Sequence, residues 1–164
     1  MAEPATTSVL FLCLGNICRS PMAEAVFTDV VQKRGLADRF RIDSCGTGGY
    51  HIGEAPDSRS TATCNKHGVK VNHKARRLSN QDYSQFDWIL CMDEHNLRDA
   101  ESRRPAGDAA KRAKLSLFGA FDPQGRRIIE DPYYGGQEGF ETNFQQVTRC
   151  SDGFLAHLGF KSPL

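Results

Sequence analysis

A short segment near the N-terminus constrains the fold more than any other part of the sequence. The residues at 9–13 are all apolar, Gly15 and Asn16 then interrupt the run, and Ser20 and Pro21 are typical of a helix start. A short continuous apolar run predicts a strand that is buried on both faces, as strands of parallel sheets are. The sequence therefore predicts a buried strand, a tight loop and a helix in succession.

Strand and helix patterns alternate along the rest of the chain. Predicted strands cover residues 9–13, 40–44, 86–92 and 115–118. Predicted helices begin at Ser20, at Asp57 or Ser58, after Ser79 and after Asp93, and the last one spans residues 140–158. Residues 45–56 and 121–136 contain several glycines and prolines and are predicted to be irregular. This alternation predicts an α/β fold, with a parallel sheet that has right-handed crossovers and is covered by helices on both faces.

The length and charge of the chain exclude several classes of protein. A chain of 164 residues corresponds to about one domain, so we expect a single domain over residues 1–164, with residues 1–7 flexible. The formal net charge is +1, which argues against a protein that binds nucleic acid and against attraction to an anionic membrane. The longest apolar run has only a handful of residues, so we expect no membrane span, which needs about 20.

The cysteines and histidines indicate a reducing compartment and no metal site. The first residues carry no basic n-region, so we expect no signal peptide and a cytoplasmic protein. The six cysteines are then expected to be free thiols. The sequence has no C-x-x-C, and its five histidines are scattered, so no set of residues has the spacing of zinc ligands. We therefore expect neither a metal nor a cofactor.

The loop after the first strand has the chemistry of an anion-binding site. Cys13 ends the strand, and Arg19 follows after five intervening residues. The N–H groups of a tight turn and of a helix N-terminus bind tetrahedral anions, and an arginine adds two parallel donors. The predicted phosphate-binding residues are Leu14, Gly15, Asn16, Ile17, Cys18, Arg19 and Ser20. The positive field of these N–H groups and of the arginine favours the thiolate of Cys13, to which Ser20 can donate a hydrogen bond. A thiolate that faces a bound phosphate ester is arranged for in-line attack on phosphorus.

A second motif supplies a candidate general acid. A leaving alcohol or phenolate needs a proton, and Asp131 precedes Pro132 in an irregular segment from which a side chain can reach a neighbouring site. Tyr133 and Tyr134 follow directly and could flank an aromatic substrate. The Walker phosphate-binding motif and the dinucleotide-binding glycine motif are both absent from the loop at 13–20.

The two motifs together resemble those of the low-molecular-weight protein tyrosine phosphatases. The resemblance rests on residues 13–21, on residues 131–136 and on residues 88–93, and it covers nearly the whole chain. It implies a four-stranded parallel sheet in the flavodoxin-like order 2-1-3-4, and hydrolysis of phosphotyrosine in two steps without a metal. Phosphotyrosine proteins or small aryl phosphates would be the substrates, and inorganic phosphate would be both product and inhibitor.

The resemblance also implies a role for individual residues. Cys13 would be the nucleophile that forms a phosphocysteine, Arg19 would bind the phosphate, and Asp131 would protonate the leaving group and then activate water. In the family the asparagine of the loop takes an unusual backbone conformation, held by a hydrogen-bond network that here corresponds to Asn16, Ser20, Ser44 and His73. The aromatic walls of the substrate site would be Tyr50, Tyr133 and Tyr134.

Cys18 has two interpretations. A reactive Cys13 would oxidise to a sulfenic acid, and Cys18 in the same loop could convert it to a disulfide before the oxidation becomes irreversible. The family resemblance implies such reversible inactivation. Alternatively, Cys18 is a small apolar residue that faces the core. The remaining cysteines are predicted to be structural, namely Cys45, Cys64, Cys91 and Cys150.

Two other functions stay open at this point. A thiol-linked arsenate reductase on the same fold would need further cysteines to relay a disulfide, and Cys91 has no cysteine partner nearby in sequence. A non-catalytic module that binds phosphate or phosphotyrosine is the third function, although the presence of Cys13, Arg19 and Asp131 together argues against it. A weakly self-associated form that buries the two tyrosines at 133–134 is compatible with the sequence.

Overall fold

Four strands form one sheet in which every neighbouring pair is parallel. The computed structural model describes residues 5–161. The strands are β1 (Thr7–Cys13), β2 (Phe40–Gly46), β3 (Trp88–Cys91) and β4 (Lys114–Leu117). Their order is β2-β1-β3-β4, with β1 paired to both β2 and β3. The predicted parallel sheet and its order 2-1-3-4 are confirmed.

Five α-helices follow or connect the strands and cover both faces of the sheet. They are α1 (Arg19–Lys33), α2 (Ser58–Lys66), α3 (Asp82–Gln85), α4 (Glu94–Ser102) and α5 (Gln137–His157). Alternate residues of β1 point to opposite faces, as in any strand. Phe11 packs in the apolar cluster that contains Phe27 of α1 and Phe154 of α5. Leu10 packs in a second cluster with Tyr83 of α3 and Ala100 of α4.

The ends of several elements differ from the predicted ones. Thr7, the last residue of the segment predicted to be flexible, begins β1 and pairs with Phe40, and residues 1–4 of that segment lie outside the described residues. Strand β3 spans four residues instead of the predicted 86–92, and β4 begins and ends one residue earlier than predicted. The helix expected directly after Ser79 begins at Asp82, whose carboxylate accepts a hydrogen bond from the Ser79 N–H at 2.8 Å. Among the described residues no helix is long and apolar enough to cross a membrane.

The start of α1 was predicted at Ser20, with Ser20 as its cap, and this is wrong. The helix begins at Arg19, and no side chain caps it. The hydroxyl of Ser20 is used by the loop, as described below, and is therefore not available to the helix N–H groups. The helix ends shortly before Gly35, which takes the left-handed conformation (φ 71°) that favours glycine after a helix.

Strand β2 continues two residues beyond its predicted end, to Gly46. Cys45 and Gly46 were assigned to an irregular segment because glycine weakens a strand. Here the missing side chain is required: a Cβ on Gly46 would lie 2.6 Å from the carbonyl oxygen of Leu14. The strand therefore passes directly beneath the loop that follows β1, at the carboxyl edge of the sheet, where ligands of parallel α/β folds bind.

Candidate active site

The sulfur of Cys13 lies at the end of β1 among hydrogen-bond donors. The residue is 3% exposed. The Ser20 hydroxyl lies 3.0 Å from Sγ, and the backbone N–H of Asn16 donates to Sγ at 3.3 Å. Ser20 Oγ accepts a hydrogen bond from Asn16 Nδ2 at 2.8 Å, and its own proton can point at the sulfur or at the more distant carbonyl of Cys45, 3.4 Å away. Both the Ser20 hydroxyl and the Asn16 N–H are thus within hydrogen-bond distance of the sulfur.

Asn16 holds the loop in a conformation that few residues adopt. Its φ is 58°, in the left-handed region, where asparagine is tolerated better than most residues. Its Nδ2 donates to the hydroxyls of Ser20 and Ser44, at 2.8 and 3.1 Å. Its Oδ1 accepts from His73 Nε2 at 2.7 Å and from the backbone N–H of Arg76 at 2.9 Å. The predicted support residues are thus brought together around one side chain.

A half-buried pair of titratable groups lies beneath this network. Because Nε2 of His73 donates to Asn16, the other ring nitrogen faces Glu24, whose Oε1 is 3.2 Å away and also accepts from the Ser44 hydroxyl. Burial raises the pKa of Glu24 to about 7. Burial also lowers the pKa of His73. Asp43 completes a group with the spacing of metal ligands, but its carboxylate is bound to Arg76 at 3.0 Å. The sequence did not predict this cluster, and its contacts assign it to loop support.

Arg19 is fixed by groups from two distant segments. It is 2% exposed, and its Nη1 donates to Asp93 Oδ2 at 2.6 Å and to the carbonyl of Ile129 at 2.8 Å. Its Nη2 lies 3.7 Å from Asp131 Oδ2. Asp93 also caps α4 by accepting from the N–H of Asn96 at 2.8 Å. The sequence predicted only this cap, although a polar residue directly after β3 at the carboxyl edge is a signal for a second role.

These residues surround a cavity of about 480 Å³. The loop contributes Cys13, Leu14, Gly15, Ile17, Cys18 and Arg19, and the mouth is formed by Tyr50, His51, Asp131, Tyr133 and Tyr134. The predicted nucleophile, arginine, acid and tyrosines therefore meet in one place, while the support residues lie beneath the loop. His51 was not predicted; its Nδ1 lies 2.6 Å from Glu54.

The backbone of the loop offers N–H groups to an anion. Within residues 5–161, no backbone carbonyl accepts a hydrogen bond from the N–H of Gly15, Ile17 or Cys18. The N-terminus of α1 follows directly at Arg19. Unpaired N–H groups next to a helix N-terminus are suited to the oxygens of a phosphate.

The segment that carries the candidate acid is held by α2. Asp131 Oδ1 accepts from the N–H of Tyr133 at 3.0 Å. Arg59 of α2 forms an ion pair with Asp57 at 3.0 Å and donates to the carbonyl of Tyr133 at 2.9 Å. Tyr134 itself is 94% exposed, so its ring extends from the mouth of the cavity into solvent.

Cys18 lines the same cavity as Cys13 but has a different environment. Burial, helped by the nearby Asp57 and Cys13, raises the pKa of the Cys18 thiol to about 12. All six cysteines are free and buried. Burial also raises the pKa of the thiols of Cys45, Cys64, Cys91 and Cys150.

The fold and the loop define a class of protein: parallel α/β proteins with an oxyanion-binding loop between a strand and a helix at the carboxyl edge. Within this class the chain belongs to the low molecular weight phosphotyrosine protein phosphatase family, whose model matches residues 8–163. The resemblance noted in the sequence is thereby confirmed.

Individual relatives agree with this assignment over most of their length. The chain is 50% identical over 155 residues to the human low molecular weight phosphotyrosine protein phosphatase, covering 94% of this chain and 98% of the relative. A protein tyrosine phosphatase from Entamoeba histolytica has a similar crystal structure (TM-score 0.88, 34% identity, 93% and 97% of the two chains covered). The crystal structure of a Drosophila arginine phosphatase is also similar (TM-score 0.85, 37% identity, 94% and 99% covered).

Proposed function

We propose that this protein hydrolyses phosphotyrosine and other aryl phosphate monoesters through a covalent phosphocysteine. The observation that carries the proposal is the convergence of Cys13, Arg19 and Asp131 on one cavity at the carboxyl edge of the sheet. A nucleophile, an anion-binding arginine and a carboxylic acid are the three groups that this chemistry requires.

In the first step, the thiolate sulfur of Cys13 attacks phosphorus. The bond between phosphorus and the aryl oxygen breaks as the sulfur–phosphorus bond forms. Asp131 gives its proton to the leaving phenolate oxygen. The Ser20 hydroxyl and the Asn16 N–H, at 3.0 and 3.3 Å from the sulfur, stabilise it as an anion before the attack.

In the second step, a water molecule attacks the phosphocysteine and Asp131 takes a proton from that water. Inorganic phosphate leaves as the Cys13 thiolate forms again. Arg19 and the free N–H groups of the loop hold the phosphoryl oxygens in both steps and supply the positive charge that the transition state needs. The proposed reaction therefore uses no metal ion and no cofactor, and inorganic phosphate inhibits by binding the same groups.

The walls of the cavity favour a flat aromatic leaving group. Leu14 and Ile17 present apolar surface, and the rings of Tyr50 and Tyr133 stand at the mouth. A phosphotyrosine on a protein and a small aryl phosphate both fit this description. Phosphoarginine is the competing substrate, because the Drosophila relative is described as an arginine phosphatase and a guanidinium also stacks on aromatic rings.

Reversible oxidation is the regulatory part of the proposal. A peroxide would convert the Cys13 thiolate to a sulfenic acid, and condensation with the Cys18 thiol would form a disulfide and release water. The high pKa of Cys18, about 12, leaves little thiolate, so this disulfide should form slowly near neutral pH. An outward disulfide relay of the arsenate-reductase kind has less support, since Cys91 is fully buried.

We place the protein in the cytoplasm, where thiols stay reduced, since all six cysteines are free in the structure.

We also propose that any self-association is weak and involves the exposed ring of Tyr134. Gel filtration of wild type and Tyr134→Ala at several protein concentrations tests this contact, and identical elution of the two would reject it.

The test of the function compares wild type with Cys13→Ser and Asp131→Asn on a series of aryl phosphates. Cys13→Ser should abolish turnover and still bind phosphate. Asp131→Asn should lower kcat/KM by about 10²–10⁴-fold for poor leaving groups, less for good ones, and should remove the alkaline limb of the pH–rate profile.

Four results would overturn all or part of the proposal. Hydrolysis of p-nitrophenyl phosphate by Cys13→Ser would reject the nucleophile, and an unchanged alkaline limb in Asp131→Asn would reject the acid. A higher kcat/KM for phosphoarginine than for phosphotyrosine peptides would reject the substrate class. Thioredoxin-dependent reduction of arsenate, measured in parallel, would favour the reductase instead.

A further inference from the structure

The segment that carries Asp131 has no regular secondary structure of its own. Between residues 122 and 136 the chain contains neither a helix nor a strand. A general acid must nevertheless be held within a fraction of an ångström of its working position, because small displacements of reacting groups cost rate. Contacts from outside the segment must therefore fix it.

Three consecutive carbonyls immediately before Asp131 each accept a hydrogen bond from a different side chain. Gln146 Nε2 donates to the carbonyl of residue 128 at 2.9 Å, and Arg19 Nη1 donates to that of residue 129 at 2.8 Å. Asn143 Nδ2 donates to the carbonyl of residue 130 at 3.1 Å. The third contact involves the peptide group that joins residue 130 to Asp131.

Two of these donors come from one face of α5 and are almost completely buried. Asn143 is 2% exposed and Gln146, three residues further along the helix, is 4% exposed. Within residues 5–161, the Asn143 Oδ1 has no hydrogen-bond partner. A buried amide oxygen without a partner lowers the stability of the fold. The presence of asparagine at this position is therefore best explained by the hydrogen bond that its N–H group donates.

We propose that Asn143 is a positioning residue for the general acid. It holds the Glu130 carbonyl and so fixes the peptide plane from which the Asp131 side chain projects towards Arg19. Gln146 supports the same backbone one turn away. The inference rests on the proposed role of Asp131 as the acid, and it adds a residue of α5 that touches neither the substrate nor the loop at 13–20.

The test replaces Asn143 by leucine, which has the same branched shape but no donor. We expect kcat/KM for phenyl phosphate, a poor leaving group, to fall roughly five- to tenfold, the effect of one buried hydrogen bond. For p-nitrophenyl phosphate, which needs less help from an acid, the fall should be less than about twofold. The inhibition constant for inorganic phosphate should stay within about twofold of wild type, because the phosphate-binding loop is untouched.

Gln145→Leu is the matched control. Gln145 is the exposed neighbour of Gln146 on α5, and its side chain donates a hydrogen bond to Glu141, away from the segment that carries Asp131. It should match wild type on every substrate. Equal losses for Asn143→Leu on all leaving groups, or a changed phosphate inhibition constant, would mean a general structural effect and would overturn the proposal.

Asp131→Asn separates this inference from the proposed function. If Asp131→Asn leaves the leaving-group dependence unchanged, Asp131 is not the acid and both proposals fall. If Asp131→Asn steepens the dependence of kcat/KM on the leaving group and Asn143→Leu does not, only the positioning role is overturned. In the Asp131→Asn background, Asn143→Leu should add no further dependence on the leaving group. Should Asn143→Leu not fold, Gln146→Leu must show the same selective loss for the proposal to stand.

Discussion

Replacing Gly46 by alanine should impair catalysis more than it destabilises the fold. Gly46 ends β2 beneath the loop at 13–20, where an added Cβ would lie 2.6 Å from the Leu14 carbonyl oxygen and 3.1 Å from the Asn16 nitrogen. A carbon and an oxygen in ordinary contact stand about 3.3–3.5 Å apart, so the loop backbone must move by roughly 0.7–0.9 Å.

A displacement of this size should lower kcat/KM by about 30- to 100-fold, since misplacing a reacting group by about 1 Å costs on the order of 100-fold. The free energy of unfolding should fall by only about 1–3 kcal/mol, the usual range for overpacking. The assay combines initial rates with p-nitrophenyl phosphate and urea unfolding of the same preparation.

Gly153→Ala is the matched control for this prediction. A Cβ added at Gly153 would clash with the carbonyl of Phe121 even more severely. The ring of Phe121 packs against Trp88 at the start of β3, so this clash lies at the amino edge of the sheet, opposite the candidate site. We expect a larger loss of stability with an unchanged kcat/KM per folded molecule. The reasoning would be refuted if Gly46→Ala kept the wild-type kcat/KM. It would also be refuted if the loss of activity were proportional to the loss of stability in both variants.

Other predictions concern the support network, the redox pair and a surface ion pair. Ser44→Ala removes an acceptor of the loop asparagine and should lower the free energy of unfolding by about 1–2 kcal/mol and kcat/KM about tenfold, measured by urea unfolding and initial rates. Once the sulfenic acid has formed, the Cys13–Cys18 disulfide should close about tenfold faster per pH unit between about pH 7 and 9, followed by mass spectrometry; a pH-independent rate would contradict the high pKa of Cys18. Hydrogen bonds from His67 and a lysine lower the pKa of Glu141 from 4.5 to about 2. The ionised carboxylate therefore contributes its full share to the free energy of unfolding above about pH 4.5, and this contribution disappears as the pH falls towards 2. Glu141→Gln should cost about 1 kcal/mol near neutral pH and nothing near pH 2, in urea titrations at both pH values.

The sheet and the loop at 13–20 were predictable because their signals are local. The apolar run of β1 can only be buried, and the glycine and asparagine after it can only form a turn. The start of α1 was not predictable from the same signals. Ser20 and Pro21 are a common helix start, but the Ser20 hydroxyl faces the sulfur of Cys13 and accepts from Asn16 instead of capping. Contacts within the loop therefore take the place of the usual helix cap.

The groups that complete the site could not be predicted, because they come from distant parts of the chain. The N–H that Arg76 donates to Asn16 lies 60 residues away in sequence. The partners of Arg19 lie 74 residues away, at Asp93, and 110 residues away, at the carbonyl of Ile129. A backbone carbonyl has no signature in the sequence, and only the folded topology shows that it is an acceptor for Arg19.

The anchoring of Arg19 has a consequence for how anions bind. Its guanidinium is held by Asp93 and by the carbonyl of Ile129, so an incoming oxyanion meets a donor fork whose rotamers are already restricted. Preorganisation of this kind reduces the entropy lost on association. Tetrahedral anions of similar size that form no bond to the sulfur, such as tungstate and sulfate, should therefore share one binding geometry and differ mainly in the enthalpy that calorimetry records.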